Sequence, residues 1–226
     1  MDAREIERTL DEAERLLAAG AAVDLGTLGF WRAVASVKRD PKYIERYADR
    51  VGAIDREAFR RRVPLHLPAA LGLALMSLGT LFGVFVLWLA AAFQPPAKEV
   101  LVLVGMGAVL VCTHGLAHVI YGSLLGMRFT DWFSDLPRRP QPGFKVDYAT
   151  YLRTPAVSRA WMHASGAIVS KIVPFAVVPY AMSINCATWA ILALVAAGIA
   201  AIVIDVVFSV RASDWKKFRR EMRLAR

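Results

Sequence analysis

The sequence predicts an all-α, polytopic membrane protein with four transmembrane helices and a helical N-terminal region in the cytoplasm. Three observations carry this prediction. The 226 residues are 57% hydrophobic with a mean hydropathy of +0.43, too apolar for an ordinary soluble domain. Charge is segregated, with most Lys/Arg and Asp/Glu in the first 66 residues, one central loop and the last 16. Residues 67–93, 100–126, 161–183 and 187–210 are each long enough to cross a hydrocarbon core of about 30 Å, which takes about 20 apolar residues.

The organisation that follows is a cytoplasmic helical domain over 1–66, a four-span membrane domain over 67–210 with a loop at 127–160, and a basic tail over 211–226. In the first region, helices are expected near 3–19 and 25–38. A third opens at Asp40-Pro41, where proline suits the first helical turn. Tyr43, Tyr47, Val51, Ile54 and Phe59 give that third helix one apolar face, which packs on the other two helices or on the membrane, or else serves to bind a partner. The opening "MDAREIERTLDEAERLLAAG" has neither the apolar core nor the small-residue cleavage site of a signal peptide, so it is expected to be an ordinary helix.

Orientation is read from the loops. "QPPAKE" and "INC" are short and nearly neutral. The 127–160 loop holds six Lys/Arg (Arg128, Arg138, Arg139, Lys145, Arg153, Arg159), the residues after Val210 hold seven, and "REAFRRR" precedes the first span. Positive-inside counting puts both termini and the loop in the cytoplasm of a cell-membrane protein. The net charge of +9 then points to anionic lipid headgroups as partners. No aromatic-basic pattern for nucleic acid is present. The tail, with Trp215, Phe218 and Met222 at helical steps, suits an amphipathic helix on the inner leaflet. Cys112 and Cys186 fall in different apolar regions without CxxC spacing, as packing residues do.

Counting depth brings the polar residues together. About 20 residues inward from Val100 place the inner boundary near Val119, so His114 and His118 lie at or just under the cytoplasmic face. Asp205, near the inner end of the last span, and His163, just inside the start of the third, reach the same level. Residues i and i+4 of a helix differ by about 40° and about 6 Å, so His114 and His118 share a face and can chelate one ion. A carboxylate or third imidazole from a facing helix would complete a three-ligand site with an open position, as a catalytic zinc needs. The same residues also admit other uses: hydrogen bonds from the imidazoles to bundle carbonyls, neutralisation of Asp205 by Lys171, haem ligation, or a proton relay.

"HGLAHVIYGSLLGMRF" resembles the first active-site segment of the site-2 protease family of intramembrane zinc metalloproteases, H-E-x-x-H followed by a small-residue helix. "ASGAIVSKIVPF" is similar to that family's A-G-P-x-x-N segment, and "IDVV" stands where its L-D-G aspartate would. The resemblance implies a core of the second to fourth spans, zinc held by His114, His118 and Asp205, and a transmembrane protein as partner. The chain also departs from the pattern. The glutamate that serves as general base reads Gly115, the asparagine reads Ser170, the proline Ala167, and the L-D-G glycine Val206. No glutamate follows Glu99 within the later spans.

A substitute base is not evident. Ser170 and Lys171 are adjacent and cannot face each other as a dyad. Asp205 could act as a base if His163 took its place as ligand. In the loop, prolines 137, 140, 142 and 155 forbid a long helix, while "FKVDYATYL" can form an extended or hairpin segment able to pair with a peptide; alternatively Trp132, Phe133, Tyr148, Tyr151 and Trp161 anchor it at headgroup level. Asp131, Asp135 and Asp147 are expected to be solvated or paired with loop arginines. The sequence thus points to a metal-binding, proteolytically inactive relative that holds or presents a membrane partner, with zinc favoured and iron or haem still open. The alternatives are an active intramembrane metalloprotease with an atypical base, and a structural or assembly subunit of a membrane complex.

Overall fold

Asp2 opens the first helix through a reciprocal cap: its carboxylate accepts the Glu5 N–H at 2.8 Å and the Glu5 carboxylate accepts the Asp2 N–H at 3.2 Å. The computed structural model describes residues 1–20, 23–135, 141–207 and 213–225. Loop residues 136–140 and the end of the predicted last span, 208–210, lie outside the described residues.

Helix α1 (Ala3–Ala18) buries Ile6, Leu10, Ala13 and Leu17 along one stripe. They meet α2 (Phe30–Val37) and α3 (Pro41–Arg62) in a core with Phe30, Val34, Tyr47, Val51 and Ile54. The apolar face of α3 therefore packs on the other two helices. Its last member, Phe59, instead meets Phe133 edge-on at 5.0 Å. Helix α2 starts later than the sequence suggests because Gly29 takes a left-handed φ of 75°, which ends the preceding turns.

Four helices are long and apolar enough to cross a membrane: α4 (Ala69–Ala90), α5 (Ala97–Leu124), α7 (Ala156–Ser183) and the Thr188–Asp205 part of α8 (Thr188–Val207). Leu78, Leu81, Phe82, Phe85 and Trp88 of α4 stand exposed on its outer side, as lipid-facing residues do. The chain is a multi-pass membrane protein on this ground. The third span has the lowest hydropathy of the four, 1.4 against 2.2, and it carries His163 and Lys171.

The helices pack in sequence: α4 on α5, α5 on α7, and α7 on α8. Where α4 crosses α5, a Cβ on Gly105 would lie 2.8 Å from the Gly83 carbonyl oxygen and 2.8 Å from Leu87 Cγ. Glycine is required there for the backbones to meet. Gly105→Leu is expected to cost about 1–3 kcal/mol by forcing the helices apart, read as a lowered thermal midpoint in detergent. An unchanged midpoint would show that the crossing is not close-packed. At the far end, buried Glu99 accepts the Ala187 N–H at 2.9 Å and Lys98 donates to the Ile184 carbonyl at 2.9 Å, tying the start of α5 to the α7–α8 turn.

The architecture is predominantly helical, as expected, and carries in addition a small antiparallel sheet, in the order β1 (Leu65–Pro68), β2 (Phe129–Ser134), β3 (Gly143–Val146). Its first strand takes Leu67 and Pro68 from the start of the expected first span, 67–93, so the helix begins at Ala69. Leu67 pairs with Trp132, and Trp132 with Phe144. The expected extended segment splits in two: Asp147 accepts the Thr150 N–H and starts α6 (Tyr148–Arg153), so only its first half is a strand. Asp55 pairs with Lys145 at 2.6 Å, Asp147 with Arg56 at 2.7 Å, and Asp131 with Arg60 at 3.2 Å. The sheet is thereby joined to α3.

Candidate metal centre

Helix α5 carries His114 and His118 one turn apart, with ring centroids 4.8 Å apart and planes near perpendicular. Each ring is fixed through Nδ1. His118 Nδ1 lies 2.7 Å from the Met162 carbonyl, which can only accept, so this nitrogen carries the proton. His114 Nδ1 lies 2.7 Å from Ser170 Oγ, whose own proton goes to the Gly166 carbonyl at 2.9 Å. Ser170 therefore accepts from His114. Both rings thus present Nε2 on the same side.

Asp214 meets them there. Helix α9 (Asp214–Leu224) packs on α7 and is started by Ser213, whose side chain accepts the Lys216 N–H. Asp214 Oδ2 lies 3.2 Å from His118 Nε2 and 3.5 Å from His114 Nε2. Its other oxygen accepts from Lys217 Nζ at 2.9 Å. Burial pushes the Asp214 carboxyl up, but the His118 ring and the Lys217 ammonium outweigh it and hold the group well below the usual carboxylate range.

Two imidazole Nε2 atoms and a carboxylate oxygen converge on one point. Such a group is satisfied in one of two ways, by protons on the imidazoles that are donated to the carboxylate or by a metal ion. The spacing suits an ion: ligand atoms about 2.0 Å from a tetrahedral zinc lie about 3.3 Å from one another. All three ligand atoms lie within 4.8 Å of one another, and no fourth His, Cys, Asp or Glu joins the group among the described residues. The partners on Nδ1 are the outer-shell contacts by which metal-binding histidines are oriented. A Cβ at Gly166 would run into the His118 ring, so glycine at this point of α7 is what lets the imidazole fit.

The structure places the sequence-derived candidates in three groups. His114 and His118 come together. Asp205 instead pairs with Lys171, which also donates to the Ala167 carbonyl at 2.9 Å and stands 5.8 Å from the Trp215 ring centre. His163 Nε2 contacts the Tyr151 hydroxyl at 2.9 Å, beside the cluster rather than in it. The residue that joins the histidines, Asp214, lies in the tail, outside the spans to which depth counting applies. A signal was present: among the seven Lys/Arg of 211–226 stand two acids, Asp214 and Glu221, seven residues apart and thus on one helical face.

Gly115 follows His114 on α5 and is buried; a Cβ there would touch the Phe144 ring of β3 at 3.4 Å, an ordinary contact. The position admits a Cβ. Compared with protein-family models, curated proteins and solved structures, the chain matches none of them.

Proposed function

We propose that this chain is a site-2-protease-like membrane protein that binds a zinc ion through His114, His118 and Asp214 and binds or presents a transmembrane partner without cleaving it. The observation that carries the metal is the convergence of two imidazole Nε2 atoms on one carboxylate oxygen, each ring locked through its other nitrogen. Two imidazoles and one carboxylate suit zinc over calcium or magnesium. The rings lie too close to the carboxylate to admit a haem plane between them. When bound, the ion supplies a Lewis-acid centre with one position left for water or a carbonyl oxygen.

The lack of catalysis rests on Gly115. The family pattern has its general base at this position, and here the α5 backbone faces Phe144 without a side chain. Strand β3 ends the sheet order and lies against α5. An extended segment of a partner pairing with that edge would run beside the ion. The basic loop and tail orient this face to the cytoplasm and to anionic headgroups.

Metal analysis tests the reading. Purified full-length protein in detergent is expected to hold about one zinc per chain, and His114→Ala plus His118→Ala to hold close to none. A wild-type chain that neither retains nor takes up zinc would leave the cluster as a protonated histidine–aspartate ion pair, which fits the structural-subunit alternative.

A further inference from the structure

The third ligand of the centre stands on an element secured from elsewhere. Seven residues from Asp214, and so on the same face of α9, Glu221 is completely buried. Its Oε2 accepts from Arg159 Nε of α7 at 2.7 Å, and its Oε1 accepts from Lys38 Nζ at 2.7 Å. Lys38 closes α2 of the N-terminal helices and stands 4.7 Å from the Tyr151 ring centre. Arg159 Nη1 donates to the Leu152 and Thr154 carbonyls, at 3.2 and 2.7 Å. Between the two acids, Phe218 meets Trp161 edge-on at 5.4 Å. Lys216, Arg219, Arg220 and Arg223 are exposed on α9.

An otherwise basic helix thus lays two carboxylates toward the protein, one on the histidine pair and one on a pair of buried cations. A buried carboxylate bound on both oxygens by cations fixes position sharply, because every displacement leaves a charge unpaired. We propose that Lys38, Glu221 and Arg159 form a latch through which the N-terminal helices hold α9, and with it Asp214, on the histidine pair, making Glu221 and Lys38 positioning residues of the metal centre. This rests on the metal reading above. The N-terminal helices then have a role in function: a change that draws Lys38 away weakens the site without touching a ligand.

The test is cobalt(II) titration of the full-length protein in detergent, followed by the visible absorption of the bound ion, with hydrogen exchange of α9 measured on the metal-free protein. Glu221→Gln and Lys38→Met are each expected to raise the dissociation constant about 10- to 100-fold, the range seen when an outer-shell partner is lost. Both should shift the cobalt spectrum toward that of Asp214→Asn, and speed amide exchange over α9. Combining Glu221→Gln with Asp214→Asn should weaken binding no further than Asp214→Asn alone, since both act through one ligand. Wild-type affinity and spectrum in Glu221→Gln, or full additivity with Asp214→Asn, overturn the latch while the metal site stands. If only Lys38→Met is silent, the link to the N-terminal helices is overturned. A wild-type chain that binds no cobalt removes the metal reading and the latch together, and so is told apart from failure of the latch alone.

Discussion

On the proposed reading, in which the chain binds zinc but has no general base, Gly115→Glu is expected to raise peptide-bond hydrolysis by a factor of about 100 to 10,000, the usual contribution of a positioned general base. Gly115 directly follows His114 on α5, as the glutamate of H-E-x-x-H follows its first histidine. A Cβ there meets Phe144 only at contact distance, so the new side chain has room to start without displacing α5. It could then take a proton from water at the centre and pass it to the leaving amine. The measurement is cleavage of a fluorescent transmembrane peptide in proteoliposomes, with a chelator control. Chelator-sensitive cleavage by the wild type sinks the inactive reading and favours a metalloprotease with an atypical base. A Gly115→Glu protein that binds zinc and cleaves nothing shows that more than the base is missing.

The second large effect concerns stability. Arg159→Met is expected to cost about 3–5 kcal/mol, because it leaves the Glu221 carboxylate buried with one of its two buried cations removed, the exposed Arg220 at 3.5 Å being a weaker partner. Replacing Lys38, Arg159 and Glu221 together by methionine should recover most of that loss, since no charge is then left uncompensated. The readout is the thermal midpoint in detergent; a single variant within about 0.5 kcal/mol of wild type contradicts the buried-pair account. Acid gives an independent check. Burial pushes the Glu221 carboxyl up, but Lys38 and Arg159 more than offset it and hold it at about 2, against an ordinary 4.5. A carboxyl lowered on folding contributes stability that is present above pH 4.5 and fades as pH falls toward 2. The stability gap between wild type and Glu221→Gln should therefore close across that interval.

Several elements were legible in the sequence for local reasons. The four spans follow from apolar run length, and the start of α3 from Asp40-Pro41. The shared face of His114 and His118 follows from their spacing alone. The sheet was less legible, because β1 is only four residues long and gains its hydrogen bonds from a strand more than 60 residues away. A short apolar stretch beside a span carries no sign of that partner. Asp205 shows the same limit in another form: depth counting put it level with the histidines, but depth says nothing about direction around the bundle, and it faces Lys171.

The sequence by itself determined which helices can cross a membrane, where charge must stay outside it, and that two imidazoles share one helical face while the neighbouring position lacks a base. Each depends on composition or on a repeat of a few residues. Only the tertiary structure decided which carboxylate meets the imidazoles, that Ser170 and the Met162 carbonyl turn both Nε2 atoms toward it, and that Lys38 reaches Glu221 from 183 residues away. Those choices follow from how α9 docks on α7. Docking is set by burial and charge pairing between distant segments, for which helical periodicity gives a face but not a neighbour.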